Sequence, residues 1–126
     1  MKRDMDLARA ILLAIEEHPS GYAPKLKALA EKVGADEGVT GYHVHLLGQA
    51  GLLKVADITH NGSPGPMAIP VRMTWEGHEF LDNTRDSARW TRIKEAANAV
   101  GTTGLQAIGK IAADIAAAAL KSHMGL

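Results

Sequence analysis

The apolar positions near the start of the chain recur at spacings of three and four. Met5, Ala8, Leu12 and Ile15, with Ile11 alongside, form one stripe opposed by Arg9, Glu16 and Glu17. This pattern predicts an amphipathic helix over residues 4–17. Asp4 or Asp6 can accept from the exposed amides at its start, and Pro19 with Gly21 ends it. A second stripe, Leu26, Leu29, Ala30 and Val33, follows Pro24 and closes on Gly34. Proline suits a first helical turn and glycine a C-terminal cap. Asp36 is placed to cap a third helix running through Val39, Tyr42, His43, Leu46, Leu47 and Ala50. Gly38, Gly41 and Gly48 each cost that helix about 1 kcal/mol relative to alanine, so packing rather than propensity must hold it.

After Gly51 the period changes. Leu52, Leu53, Val55 and Ile58 predict a strand, and Met67, Ile69, Val71 and Met73 alternate as the inward residues of a second. The loop HNGSPGP between them holds an Asn61-Gly62 turn signal and two prolines that resist pairing. Thr74 opens a fourth helix extending to Trp90, with Glu76 and Glu79 at its positive end. Trp75, His78, Phe80 or Leu81, and Ala88 are expected on its buried side, and Gly77 where the hairpin backbone comes close. Helices, hairpin and helix in this order predict an α+β fold, a winged helix-turn-helix of three helices plus a β-hairpin wing over residues 1–90.

The rest of the chain, 91–126, reads as a C-terminal helical extension. After Ile93 and the break VGTTG, an alanine-rich helix is expected from Thr103 to Lys121, with Thr103 and Gln106 as a capping box. Leu105, Ile108, Ile111 or Ala112, Ile115 and Ala119 line one face among many small residues. Such a face packs closely against another helix, either by folding back on its own domain or, as the favoured expectation, by pairing with its copy in a homodimer through Leu105, Ile108, Ala112, Ile115 and Ala119.

Composition narrows the functional classes. Cysteine is absent, which excludes a disulfide framework and thiolate chemistry and suits a reducing cytoplasm. No uninterrupted apolar run of about 20 residues occurs, so neither a signal peptide nor a membrane span is expected. Fourteen basic residues balance fourteen acidic ones, and no segment is strongly basic. Nonspecific affinity for DNA comes mainly from neutralised phosphates, so the electrostatic case for it is weak.

Candidate chemistry is sparse. In a winged helix the third helix enters the major groove. Its off-core positions, Thr40, His45 and Gln49, are the residues expected to approach bases, beside Gly41 and Tyr42 or His43. Lys25, Lys27 and Lys32 would meet the phosphate backbone, and Arg72 is the cation nearest the wing. Neither the third helix nor the wing tip carries lysine or arginine, so the commonest specific contact, arginine to guanine, is missing. His43 and His45 stand two apart, about 200° around a helix, and the other histidines follow no ligand spacing. No nucleophile–base set or phosphate loop is present. The expectation is a protein with no metal, no cofactor and no catalytic residues.

The stretches MKRDMDLARAILLAIEE, YHVHLLGQAGLL and MTWEGHEFLDNTRDSARW together resemble an uncharacterised family of small bacterial and prophage-borne proteins. The resemblance covers roughly residues 1–95. It implies a winged-helix-like fold carried on mobile elements and supplies no catalytic residues. The function expected first is a phage-type, DNA-binding or transcription-associated regulator acting as a dimer on double-stranded DNA. The alternative is a protein-interaction module, for a host factor or for itself, that keeps the fold without binding DNA.

Overall fold

The computed structural model of the protein describes residues 1–99 together with 109 and 110. The fold is α+β. Among the described residues, in chain order, come α1 (Met5–Glu17), α2 (Leu26–Val33), α3 (Glu37–Gln49), β1 (Leu53–Asp57), β2 (Ala68–Met73), α4 (Trp75–Thr84) and α5 (Ser87–Ala99). The strands form an antiparallel hairpin. The chain divides into two compact units, Met1–His78 and Glu79–Leu126.

In the first unit, the stripes read from the sequence meet in one aliphatic core. Ile11 and Leu12 of α1, Leu29 of α2 and Val44 and Leu47 of α3 are fully buried, joined by Leu52, Leu53, Met67 and Ala68 from the hairpin. Burial of each large aliphatic side chain contributes about 1.5–3 kcal/mol. Carboxylates start two of the helices. Asp4 accepts from the Leu7 N–H at 3.1 Å, and Asp36 from the Gly38 and Val39 N–H groups at 2.8 and 3.3 Å. Lys25, which caps nothing with its side chain, precedes α2, so Pro24 lies just outside the first turn rather than within it. Gly34 ends α2 at φ 70°, the left-handed conformation that glycine adopts without strain.

The glycines of α3 have a packing explanation. A Cβ at Gly48 would stand 2.5 Å from Val55 Cγ2, one at Gly41 2.8 Å from Met67 Cε, and one at Gly38 3.2 Å from Pro64 Cγ. Positions 38, 41 and 48 therefore mark the side of α3 on which the hairpin and its loop rest. The helix gives up intrinsic propensity and gains close contact with the hairpin.

The hairpin departs from the predicted alternation. Ala68 and Pro70 are buried, whereas Ile69, expected inward, is 37% exposed. Val55 pairs with Pro70 and Lys54 with Arg72, so the register slips by one residue at Val71. Pro70 has no N–H to give the ladder, and a bulge beside it relieves the mismatch. The Val71 carbonyl accepts from the Ala23 N–H at 2.8 Å, which seats the α1–α2 connection against the second edge of β2. Ile58 and Met67 extend the pairing just beyond the strands, with the Ile58 N–H 3.0 Å from the Met67 carbonyl.

Thr74 starts α4 as expected: its hydroxyl donates to the Gly51 carbonyl at 2.6 Å and accepts from the Gly77 N–H at 3.0 Å. A Cβ on Gly77 would collide with the Leu52 carbonyl and stand 2.6 Å from Met73 Cγ, so the close approach of the hairpin is real. The buried side of α4 is Gly77, Phe80, Leu81 and Thr84, at spacings of three, four and seven. Trp75 and His78 fall off that stripe. Trp75 is 75% exposed and His78 is also exposed, contrary to their expected burial.

The expected single helix from Thr74 to Trp90 is two helices. Thr84 turns its hydroxyl back to the Phe80 carbonyl at 2.8 Å, and Asp86 then accepts from the Arg89 N–H at 2.8 Å. Asp86 is thus an N-cap that restarts the chain as α5. Ala88, expected buried, lies on the exposed side of this new helix. Within the second unit, Trp90, Ile93 and Ala97 face inward, and the Phe80 and Trp90 rings meet edge to face with centroids 6.2 Å apart. A Cβ at Gly109 would meet the Phe80 ring at 3.6 Å. The proposed dimer residues Leu105, Ile108, Ala112, Ile115 and Ala119 lie outside the described residues.

Candidate interaction surface

The residues nominated for base contact do not share a solvent face. Thr40 is fully buried, and its hydroxyl donates to the Asp36 carbonyl at 2.8 Å. It belongs to the core-facing set Thr40, His43, Val44 and Leu47, so its expected place at an interface is corrected. His43 is 1% exposed. Its Nδ1 stands 2.9 Å from the Val39 carbonyl, and its Nε2 accepts from the Asp4 N–H at 2.8 Å. One nitrogen donating and the other accepting describes a neutral imidazole of fixed tautomer.

His45 is half-buried, stacked on Tyr42 at a centroid distance of 6.4 Å. Hydrogen bonds from Thr59, side chain first and then backbone N–H, are the main cause that holds the Asp57 carboxyl below its ordinary range. Gln49 alone of the three nominated residues is exposed. The outward side of α3 is thus Val39, Tyr42, Leu46 and Gln49, at spacings of three, four and three, and none is charged.

Lys25, Lys27, Lys32 and Arg72 are exposed. The Lys32 ammonium lies 3.1 Å from the Glu17 carboxylate, linking α2 to the end of α1. With both side chains largely in water, that pair contributes little. Arg72 stands directly across the hairpin from Lys54, which is also exposed. Lys54 had a legible signal: it interrupts the apolar run Leu53, Lys54, Val55, so it must point away from the core. Its partner across the sheet depended on the bulge.

The exposed apolar residues form the other notable group. Tyr22, Ile58, Ile69 and Trp75 are 68%, 38%, 37% and 75% exposed. Ile69 lies in β2, Ile58 immediately follows β1, and Trp75 is two residues past β2. Tyr22 precedes Ala23, which is bonded to β2.

Two cavities in the first unit are small. One of 230 Å³ lies between α1 and α2 beside Leu29, Pro24 and the Glu17–Lys32 pair. One of 160 Å³ is lined by Ile15, Glu16, Ser20, Gly21, Met73 and His78. The Ser20 hydroxyl there accepts from the Tyr22 N–H at 3.1 Å. Among the described residues, no three His, Asp or Glu side chains gather in a way that could hold a metal ion. No described helix is long and apolar enough to cross a membrane.

The chain belongs to the family described as Hypothetical protein (DUF2513), whose model matches residues 2–103. It is 36% identical over 95 residues to an uncharacterized protein of Haemophilus influenzae, a match covering 75% of this chain and 76% of that one. No solved structure matches. The family expected from the MKRDMDL and TWEGHEFLD stretches is therefore the one found, a domain of unknown function.

Proposed function

We propose that this member of the family is a non-enzymatic winged-helix module that docks another protein. The order of three helices, hairpin and further helix supports the fold assignment. Function must be argued from the surface, since one fold serves many tasks. One observation carries the reading: among the described residues, four of the five exposed large hydrophobic side chains are tied to the hairpin, with Ile69 in β2, Ile58 and Trp75 within two residues of a strand, and Tyr22 next to Ala23, which bonds to β2. Exposed aromatic and aliphatic groups carried by one element suit protein contacts, where Trp and Tyr supply much of the binding energy. The outward side of α3, by contrast, offers a DNA groove no cation.

A second reading, a phage-type DNA-binding regulator, is favoured by the exposure of Lys25, Lys27, Gln49 and Arg72. Retention of random-sequence duplex at about 50 mM salt separates the two, because nonspecific contact is strongest there. The docking module leaves the duplex free. Duplex retained by the protein and released in a Lys25→Glu/Lys27→Glu variant would transfer the conclusion to the regulator. Photo-crosslinking from position 75 in the native host is the positive test, with a discrete protein adduct expected that is lost in Ile69→Ser. Homodimerisation through Leu105, Ile108, Ala112, Ile115 and Ala119 is a separate proposal. Sedimentation of the full chain against Ile108→Glu tests it, with a strict monomer in both as the negative result.

A further inference from the structure

The pair formed by Lys54 and Arg72 is electrostatically unfavourable as it stands. The register sets them directly opposite one another on the hairpin, where like charges destabilise a sheet. Both are exposed, and neither side chain has a hydrogen-bond or ion-pair partner among the described residues. The hairpin has one carboxylate of its own, Asp57, but alternation puts it on the face it shares with Val55. There it accepts from the Thr59 N–H at 2.7 Å. Among the described residues, no carboxylate neutralises the two cations.

The rest of that outer face is apolar. Ala56 pairs with Ile69 next along the ladder, and Ile58 follows on the same side of β1. We infer that the outer face of the hairpin seats a carboxylate-bearing segment of a partner protein, its acidic group between Lys54 and Arg72 and its aliphatic side chains against Ala56, Ile58 and Ile69. This inference rests on the docking-module reading and names the chemistry of the docked partner. A nucleic acid fits the same face poorly. A DNA-binding surface typically neutralises about 6–10 phosphates, whereas this face holds two cations. The unit that carries it, residues 1–78, has eight Lys/Arg against nine Asp/Glu and exerts no net pull on a polyanion. A carboxylate held by two cations and flanked by apolar contacts needs no such field.

The test uses the full chain and three probes: a short capped peptide alternating glutamate with leucine, the same peptide with glutamine for glutamate, and random-sequence duplex DNA. Binding is followed by amide chemical shifts. The acidic peptide is expected to shift residues 53–57 and 68–73. Its affinity should fall at least tenfold with the glutamine peptide and with the Lys54→Glu/Arg72→Glu double variant. Lys54→Glu alone should raise Tm by about 2–4 °C, since it places opposite charges across the strands, and this verifies that the fold tolerates the change. Equal binding of the glutamate and glutamine peptides overturns the carboxylate seat while leaving the docking module standing. No shift with either peptide overturns the inference. Duplex that shifts the hairpin amides and is released by the double variant overturns both the inference and the docking module.

Discussion

The two faces of the hairpin are made by alternate residues of the same short strands, yet they answer to different constraints. The inner face meets α3 at close range: Val55 lies over Gly48, Met67 over Gly41, and Pro64 over Gly38. There the absence of side chains on the helix decides the fit. The outer face, Lys54, Ala56, Ile58, Ile69 and Arg72, meets no comparable helix within the first unit, and it keeps a like-charge pair that sheet stability alone would select against. Substitutions on the inner face should therefore read out as stability, and those on the outer face as binding.

The largest effect on stability is expected at Gly77, where α4 starts. A methyl group there meets the Leu52 backbone carbonyl, which cannot swing away, so Gly77→Ala should cost about 3 kcal/mol or more in urea denaturation. A neutral result would break the claim that the backbone at Gly77 is held against Leu52. His43→Ala comes next, at about 2–3 kcal/mol, because it opens a cavity and leaves the buried-side bond from the Asp4 N–H unmade. Gly41→Ala sharpens the comparison in the opposite direction. Its new methyl meets the mobile end of Met67, which can yield, so helix propensity should leave stability unchanged or raise it by up to about 1 kcal/mol. Equal losses in Gly41→Ala and Gly77→Ala would mean that crowding against backbone and against a flexible tip are not different here.

The smallest effect concerns acid. The Asp57 carboxyl is held below its ordinary range by Thr59, so its contribution is present above the unfolded value of about 3.9 and is lost as pH falls through the lower folded value. Asp57→Asn should remove only that part of the acid limb. Denaturation curves for protein and variant should differ at pH 6 and converge toward pH 3, and a constant gap would exclude the linkage.

Much of the fold was legible because local chemistry and global packing agree. The stripes of α1 and α2, the caps at Asp4, Asp36 and Thr74, the turn at Asn61-Gly62 and the close approach at Gly77 are all found. The failures have physical sources. The phase of β2 turns on a bulge beside Pro70, and alternation cannot anticipate a one-residue slip. Thr40 reads as solvent-facing on a helix with two sides, whereas α3 has three: core, hairpin and outward. Hydrophobicity alone places Trp75 inward, but the close approach falls at Gly77 instead and leaves the indole in water. Asp86, an N-cap in plain sight, was hidden by the apolar pattern running on to Trp90. Of the surface, the cations were visible as residues, but which of them face one another was a property of the register.

The bond from the Asp4 amide to the ring of His43 joins positions 39 residues apart. That single proton at the beginning of the chain can exchange with solvent only when the imidazole lets go. Its protection against deuterium would therefore act as a gauge of the third helix's attachment to the first, read at one resonance without any probe placed in the helix itself.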